Sequence, residues 1–287
     1  MQTEETEKKT KRGRKVLCWL LGIILPLGAV FGGLQLGCMR SEKAIQHFTP
    51  DYAKIDLRPL LEKAQRTDEE YETLYRQTGL TRLGIDGLIA DRKAHKIVEI
   101  QRVFFKKKTT TVDQFAPFTY DYETDVYMPM AKLEDGDIIV TSTTWFSWWR
   151  YGHAALVVDG EHNEILESIS PGTVSKFNKA QTFQDLADFM ILRPKADAAT
   201  KTSVVEYAKS EMVGIPYRLT VGILSKKYKE DGVKGTHCAH LVWYAYKRFG
   251  IDLDSTGGGV VKPRDMALSD KVDLVQAYGF DLDGLWG

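Results

Sequence analysis

Cys238 and His153 are the side chains of this chain best suited to nucleophilic chemistry. Cys238 follows Thr236 and His237 and opens a stretch in which Leu241, Val242, Ala245 and Phe249 recur at helical spacing, with Lys247 and Arg248 in the last turn and Gly250 at the stop. Thr236 is the expected N-cap, which puts Cys238 near the second helical position. The helix N-terminus favours an anion, so a thiol there is more acidic than a free one, and the first-turn N–H groups can hold an oxyanion. The bland alternative for Cys238 is a small apolar residue filling the core. His153 opens the apolar run 153–158 (His-Ala-Ala-Leu-Val-Val). Strand interiors disfavour an unsatisfied imidazole, whereas a thiolate nucleophile wants one beside it as general base.

The elements that must position these groups are legible in outline. Residues 137–141, 153–158, 164–169 and 189–193 read as strands, and 201–212 and 238–249 as helices. Asp159-Gly160-Glu161-His162-Asn163 is a turn signal joining the second and third strands. If that turn pairs Val158 with Glu164, Ala155 lies opposite Glu167, and parity puts Glu167 on the His153 face, displaced diagonally by two residues. Glu164 then points to the other face, and a one-residue slip exchanges the two. The role of orienting the imidazole belongs to a carboxylate or amide. Strands with helices outside the meander indicate an α+β fold.

Four segments together resemble a family: 136–140 (Gly-Asp-Ile-Ile-Val), 152–158 (Gly-His-Ala-Ala-Leu-Val-Val), 166–168 (Leu-Glu-Ser) and 237–244 (His-Cys-Ala-His-Leu-Val-Trp-Tyr). They look like NlpC-type cysteine peptidases. The order His, acid, Cys is similar to the circularly permuted branch, the YiiX/YebB-like hydrolases and their lecithin retinol acyltransferase relatives. Gly214-Ile215-Pro216-Tyr217 and Val261-Lys262-Pro263-Arg264-Asp265 also fit that branch, and the resemblance spans about residues 130–285. It implies a circularly permuted papain-like fold with Cys238 as nucleophile, His153 as base and Glu167 as third member, with Tyr217 matching a site-lining position loosely. Ala239 stands where many relatives carry serine. His237 and His240 depart from the pattern; His240 is expected to point away from the cysteine and His237 to lie at the surface.

The aromatic cluster Trp145, Phe146, Trp148, Trp149 and Tyr151 precedes His153. It reads either as packing or as a groove wall for sugar or acyl groups, with Trp148 and Trp149 as substrate-binding candidates. Thr256-Gly257-Gly258-Gly259 is a flexible loop with no Walker pattern after it. His237 and His240, three apart beside a cysteine, are a weak metal signal, and neither a metal nor another cofactor is expected.

The chain has 287 residues, with 39 basic and 39 acidic side chains. No clustered basic face calls for nucleic acid. Of the three cysteines, Cys18 and Cys38 belong to the N-terminal segment, so Cys238 has no partner for a domain disulfide. Residues 1–15 read as a basic cytoplasmic tail, and 16–37 run 22 residues without a charge. That is the length of a membrane-spanning signal anchor, oriented by the basic cluster with the N-terminus inside. A cleaved signal peptide and a lipoprotein signal at Leu36-Gly37-Cys38 are the alternatives. Residues 40–115 read as a mostly helical accessory region, with a helix at 58–77, a segment at 94–105 that reads as helix or strand with Ile97, Ile100, Val103 and Phe104 favouring helix, a loop at 106–111, and His47 and His95 on the surface. Residues 116–287 form the expected hydrolase domain. The resemblance, with the extracytoplasmic placement, implies cleavage of an amide or peptide bond, with a cell-wall peptide fragment as substrate. The alternatives are lipid acyl-ester chemistry and a non-catalytic wall-binding module.

Overall fold

A computed structural model describes residues 14–15, 18–33, 36, 47–106, 110–111, 118–120, 122–123, 127–146 and 149–286. The chain divides into two compact units, 1–46 and 47–287. In the first, residues 18–33 are helical. Residues 16, 17, 34, 35 and 37 of the expected anchor lie outside the described residues. Among the described residues, no helix is long and apolar enough to cross a membrane.

The second unit is built on a six-stranded sheet of β1 (Ile138–Thr141), β2 (His153–Asp159), β3 (Glu164–Glu167), β4 (Lys176–Lys179), β5 (Phe189–Pro194) and β6 (Val272–Tyr278), in the order β6-β5-β1-β2-β3-β4. Every neighbouring pair is antiparallel. The central strands β1 and β2 are buried along nearly their whole length, so they read as apolar runs rather than as alternation.

Besides a short helix at Arg58–Leu61, the described α-helices of this unit are α1 (Asp68–Thr78), α2 (Arg82–Ala90), α3 (Ala94–Phe104), α4 (Ala198–Glu211), α5 (Cys238–Lys247) and α6 (Pro263–Ala267). α5 packs on β2 and on α4, and α6 packs on β1 and β6. All residues from Cys238 to Tyr246 are buried, as expected of a helix enclosed on every side. The Tyr246 hydroxyl donates to the Gly136 carbonyl at 2.5 Å and fastens α5 to the start of β1.

The expected single helix over 58–77 is two. A short turn at Arg58–Leu61 ends where the Arg66 side chain donates to the carbonyls of Leu60 and Leu61. α1 then starts anew from a capping box between Thr67 and Glu70. α1, α2 and α3 pack on one another, and α2 also packs on β6. The Ala277 amide donates to Gly79 and the Thr81 amide to Val275, so this region is continuous with the sheet rather than a separate body. The His47 side chain is only 5% exposed rather than on the surface: its Nδ1 lies 3.4 Å from Asp188 Oδ2. His95 is exposed. Part of the expected loop at 106–111 lies outside the described residues, and its end, Thr110–Thr111, is a short strand.

Candidate active site

The histidine is placed by the turn before it. Gly152 has φ +74°, and a Cβ there would sit 2.5 Å from the Thr141 carbonyl. Only glycine takes that conformation against that neighbour without strain. The chain therefore leaves the turn with His153 opposite Thr141 at the mouth of the β1–β2 pair. The imidazole stacks on Phe183, with ring centroids 5.7 Å apart and 19° between planes. Phe183 closes the 3₁₀ turn Ala180–Phe183.

β2 and β3 pair Leu156 with Leu166 and Val157 with Ile165, and a bulge then matches Asp159 to Glu164. The central register is the one that puts Glu167 diagonally across from His153. His153 Nε2 lies 2.7 Å from Glu167 Oε2, and both side chains are buried. An ionised carboxylate only accepts, so Nε2 carries the proton and Nδ1 is the basic nitrogen. The second carboxylate oxygen accepts from Asn178 Nδ2 at 2.7 Å, one strand further on. Burial pushes the Glu167 carboxyl up, but His153, Asn178 and Lys176 outweigh it and hold it below the usual value. Glu164 pairs with Lys179 at 3.6 Å instead.

Cys238 is the first residue of α5 and is 3% exposed. The cap is His237, not Thr236: His237 is extended, and its Nδ1 accepts from the His240 amide at 3.4 Å. Thr236 is diverted because its hydroxyl meets His240 Nδ1 at 2.9 Å. His237 is therefore buried rather than at the surface. Its Nε2 has no oxygen or nitrogen partner among the described residues. Burial raises the Cys238 thiol, but the imidazoles of His153 and His237 beside it win and pull it down to about 6. His240 donates from Nε2 to the Lys227 carbonyl at 2.7 Å, and burial lowers its pKa to about 4, so it is a neutral structural side chain.

Helix geometry leaves the amides of Cys238 and Ala239 without intrahelical acceptors. A thiolate at a helix N-terminus, an imidazole beside it oriented by a carboxylate, and two such amides form the arrangement needed for acyl transfer to sulfur.

The remaining candidates distribute as follows. Tyr217 is buried and its backbone pairs with Thr236, two residues before Cys238. Trp148 lies outside the described residues, and of Trp149 only the backbone is described, in a short strand with Arg150. The amides of Thr256 and Gly257 bond the Asp254 carboxylate, so the glycine loop is satisfied from within. No group of histidine, cysteine and carboxylate side chains suited to a metal occurs among the described residues. Asn178, Phe183 and the capping role of His237 carry no sequence signal that isolates them, whereas Gly152 is visible in the Gly-His pair.

No family model matches the chain, and no solved structure matches it. It is similar to the uncharacterized protein YycO of Bacillus subtilis (strain 168), at 29% identity over 136 residues. That match covers 47% of this chain and 52% of YycO, so the chain spans about half the length of that relative.

Proposed function

We propose that this chain is a cysteine hydrolase that cleaves an amide or peptide bond, with a cell-wall peptide as substrate. The observation that carries the reading is the line Glu167–His153–Cys238: a buried carboxylate 2.7 Å from one imidazole nitrogen, and a thiol lowered by that same ring. Cys238 Sγ attacks the carbonyl carbon while its proton resides on His153 Nδ1. The amides of Cys238 and Ala239 hold the oxyanion. His153 then protonates the leaving amine, and water, activated by the same nitrogen, hydrolyses the thioester. Glu167 keeps the ring in the Nε2–H tautomer throughout.

The order of these residues, with the motifs at 136–140 and 214–217, supports assignment to the permuted YiiX/YebB-like branch of papain-like enzymes. The uncharged run 16–37 behind a basic tail supports a single-pass anchor with the catalytic unit outside the cytoplasm. A lipid acyl ester is the second reading, favoured by the exposed aliphatic side chains of Leu219, Ile223 and Leu224.

Purified wild type and Cys238→Ala, assayed against wall-peptide fragments and acyl esters, test the proposal. The expected result is turnover of peptide amides by the wild type alone, with variant stability within about 1 kcal/mol. Turnover by Cys238→Ala defeats the proposal, and ester-selective turnover replaces the amide reading with the second.

A further inference from the structure

The loop that precedes α5 carries an exposed aliphatic surface. Residues 220–225 form a tight, internally bonded turn: the amides of Ile223 and Leu224 donate to the Thr220 carbonyl, and that of Gly222 to Ser225. Gly222, at φ +85°, is pressed against the Gly259 carbonyl, where a Cβ would overlap it at 1.7 Å. This turn is held in place, yet its tip is aliphatic and open to solvent. Ile223 is 66% and Leu224 80% exposed, with Leu219 also exposed beside them. A built turn that spends its tip on two solvated aliphatic side chains marks a contact surface.

The flanks of the same loop are basic. Arg218, Lys226, Lys229 and Lys234 line one small cavity of about 50 Å³ floored by His240 and Tyr244. None of these four pairs with a carboxylate among the described residues. Lys227 behaves differently: it pairs with Asp254, bonds the Gly258 carbonyl at 2.9 Å and lies over the Trp243 ring at 4.6 Å, so it staples the loop. The loop carbonyls are turned inward, Lys227 accepting from His240, Lys229 from the Tyr244 hydroxyl and Glu230 from Arg248. The acidic pair Glu230 and Asp231 does not line the cavity.

We propose that the 218–234 loop docks on an anionic lipid surface, with Ile223 and Leu224 entering the acyl boundary and Arg218, Lys226, Lys229 and Lys234 meeting lipid phosphates. An exposed aliphatic tip and unpaired basic side chains on one loop fit that surface on both counts, burying apolar area and neutralising headgroup charge. A soluble anion would use the basic side chains alone and leave the tip unexplained. The loop leads into α5 in sequence, and the docking does not depend on which bond Cys238 cleaves.

Hydrogen exchange of the full chain tests this locally. The chain is mixed with phosphatidylcholine vesicles with and without phosphatidylglycerol, and separately with glycerol phosphate. Exchange over residues 219–229 slows roughly fivefold or more only with phosphatidylglycerol, the factor that about one basic contact to an anionic surface is worth. Ile223→Ser/Leu224→Ser and Lys226→Glu/Lys229→Glu each abolish the protection. Because the readout is confined to the loop, tethering elsewhere in the chain does not imitate it. Equal exchange in both vesicle types, or protection by glycerol phosphate without vesicles, overturns the proposal. Unchanged protection in both double variants does so too.

Discussion

His153 Nε2 and Glu167 Oε2 lie 2.7 Å apart although their backbones are two residues out of step across the β2–β3 pair. The long glutamate side chain spans the diagonal, and Asn178 fixes its other oxygen. Glutamine at position 167 cannot reproduce this. If its carbonyl oxygen accepts from His153, its amide is driven against the Asn178 amide, donor to donor. Glu167→Gln should lower kcat on the order of 10²-fold, the scale of a misdirected general base. Glu164→Gln, whose parent pairs only with Lys179, should stay within about twofold, since an exposed pair contributes little. Steady-state kinetics of the two variants decide this, and equal losses contradict the role of Glu167.

His237 acts on the thiol without being part of the Glu167–His153 line. Burial favours neutral sulfur, while His153 and His237 together bring it down to about 6. Asparagine removes the imidazole at position 237 and supplies its amide oxygen as the cap acceptor in place of Nδ1. His237→Asn should therefore raise the pH at which Cys238 becomes a thiolate. Iodoacetamide alkylation followed against pH reports it: the midpoint moves up while the thermal midpoint stays near wild type. An unmoved midpoint would show that His153 alone sets the thiol.

Much of this site is written in local pattern, and the rest depends on contacts far apart in sequence. The β2–β3 turn and strand parity bring Glu167 to His153 because side-chain direction in a strand has period two, and the bulge at the Asp159 end leaves the central pairs in place. β4 is a four-residue, largely exposed edge (Lys-Phe-Asn-Lys) with no apolar alternation, so Asn178 is invisible until the sheet is assembled. β6 is buried at most positions and lacks alternation as well. The cap of α5 misleads for a specific reason: Thr236 has the better capping chemistry, but His240 claims its hydroxyl, and the cap passes to His237. His47 reads as a surface residue because its partner Asp188 is distant in sequence.

Gly152 offers a test of placement rather than chemistry. A methyl group there meets the Thr141 carbonyl at 2.5 Å while the residue is held at positive φ. Strain of about 1–3 kcal/mol follows, relieved by moving the backbone that carries His153. Gly152→Ala should lower kcat roughly 10²-fold, the cost of a displacement near 1 Å, with a smaller change in KM. Full activity in Gly152→Ala would mean that the turn does not hold the imidazole.

Asp188 joins the segment after residue 46 to the sheet. His47 Nδ1 approaches one carboxylate oxygen, and the Ser142 amide (2.7 Å) and Thr141 hydroxyl (3.0 Å) reach the other. Burial alone would raise this carboxyl, but His47 and the Ser142 donors bring it below 3.8. A carboxylate held below its unfolded value stabilises the fold fully above that value, and the gain is lost as pH falls through the folded value. Asparagine keeps the shape and loses the charge, and it turns an amide donor toward groups that already donate. Asp188→Asn should cost roughly 3 kcal/mol at neutral pH. That corresponds to a Tm drop of about 6–12 °C for a domain of this class. The gap to wild type should narrow as pH is lowered through the acid range, because the wild type then carries a neutral group as well. Calorimetric or dichroism melts of both proteins from neutral to acid pH measure it. A gap that stays constant would assign the loss to packing and remove the His47–Asp188 charge interaction from the account.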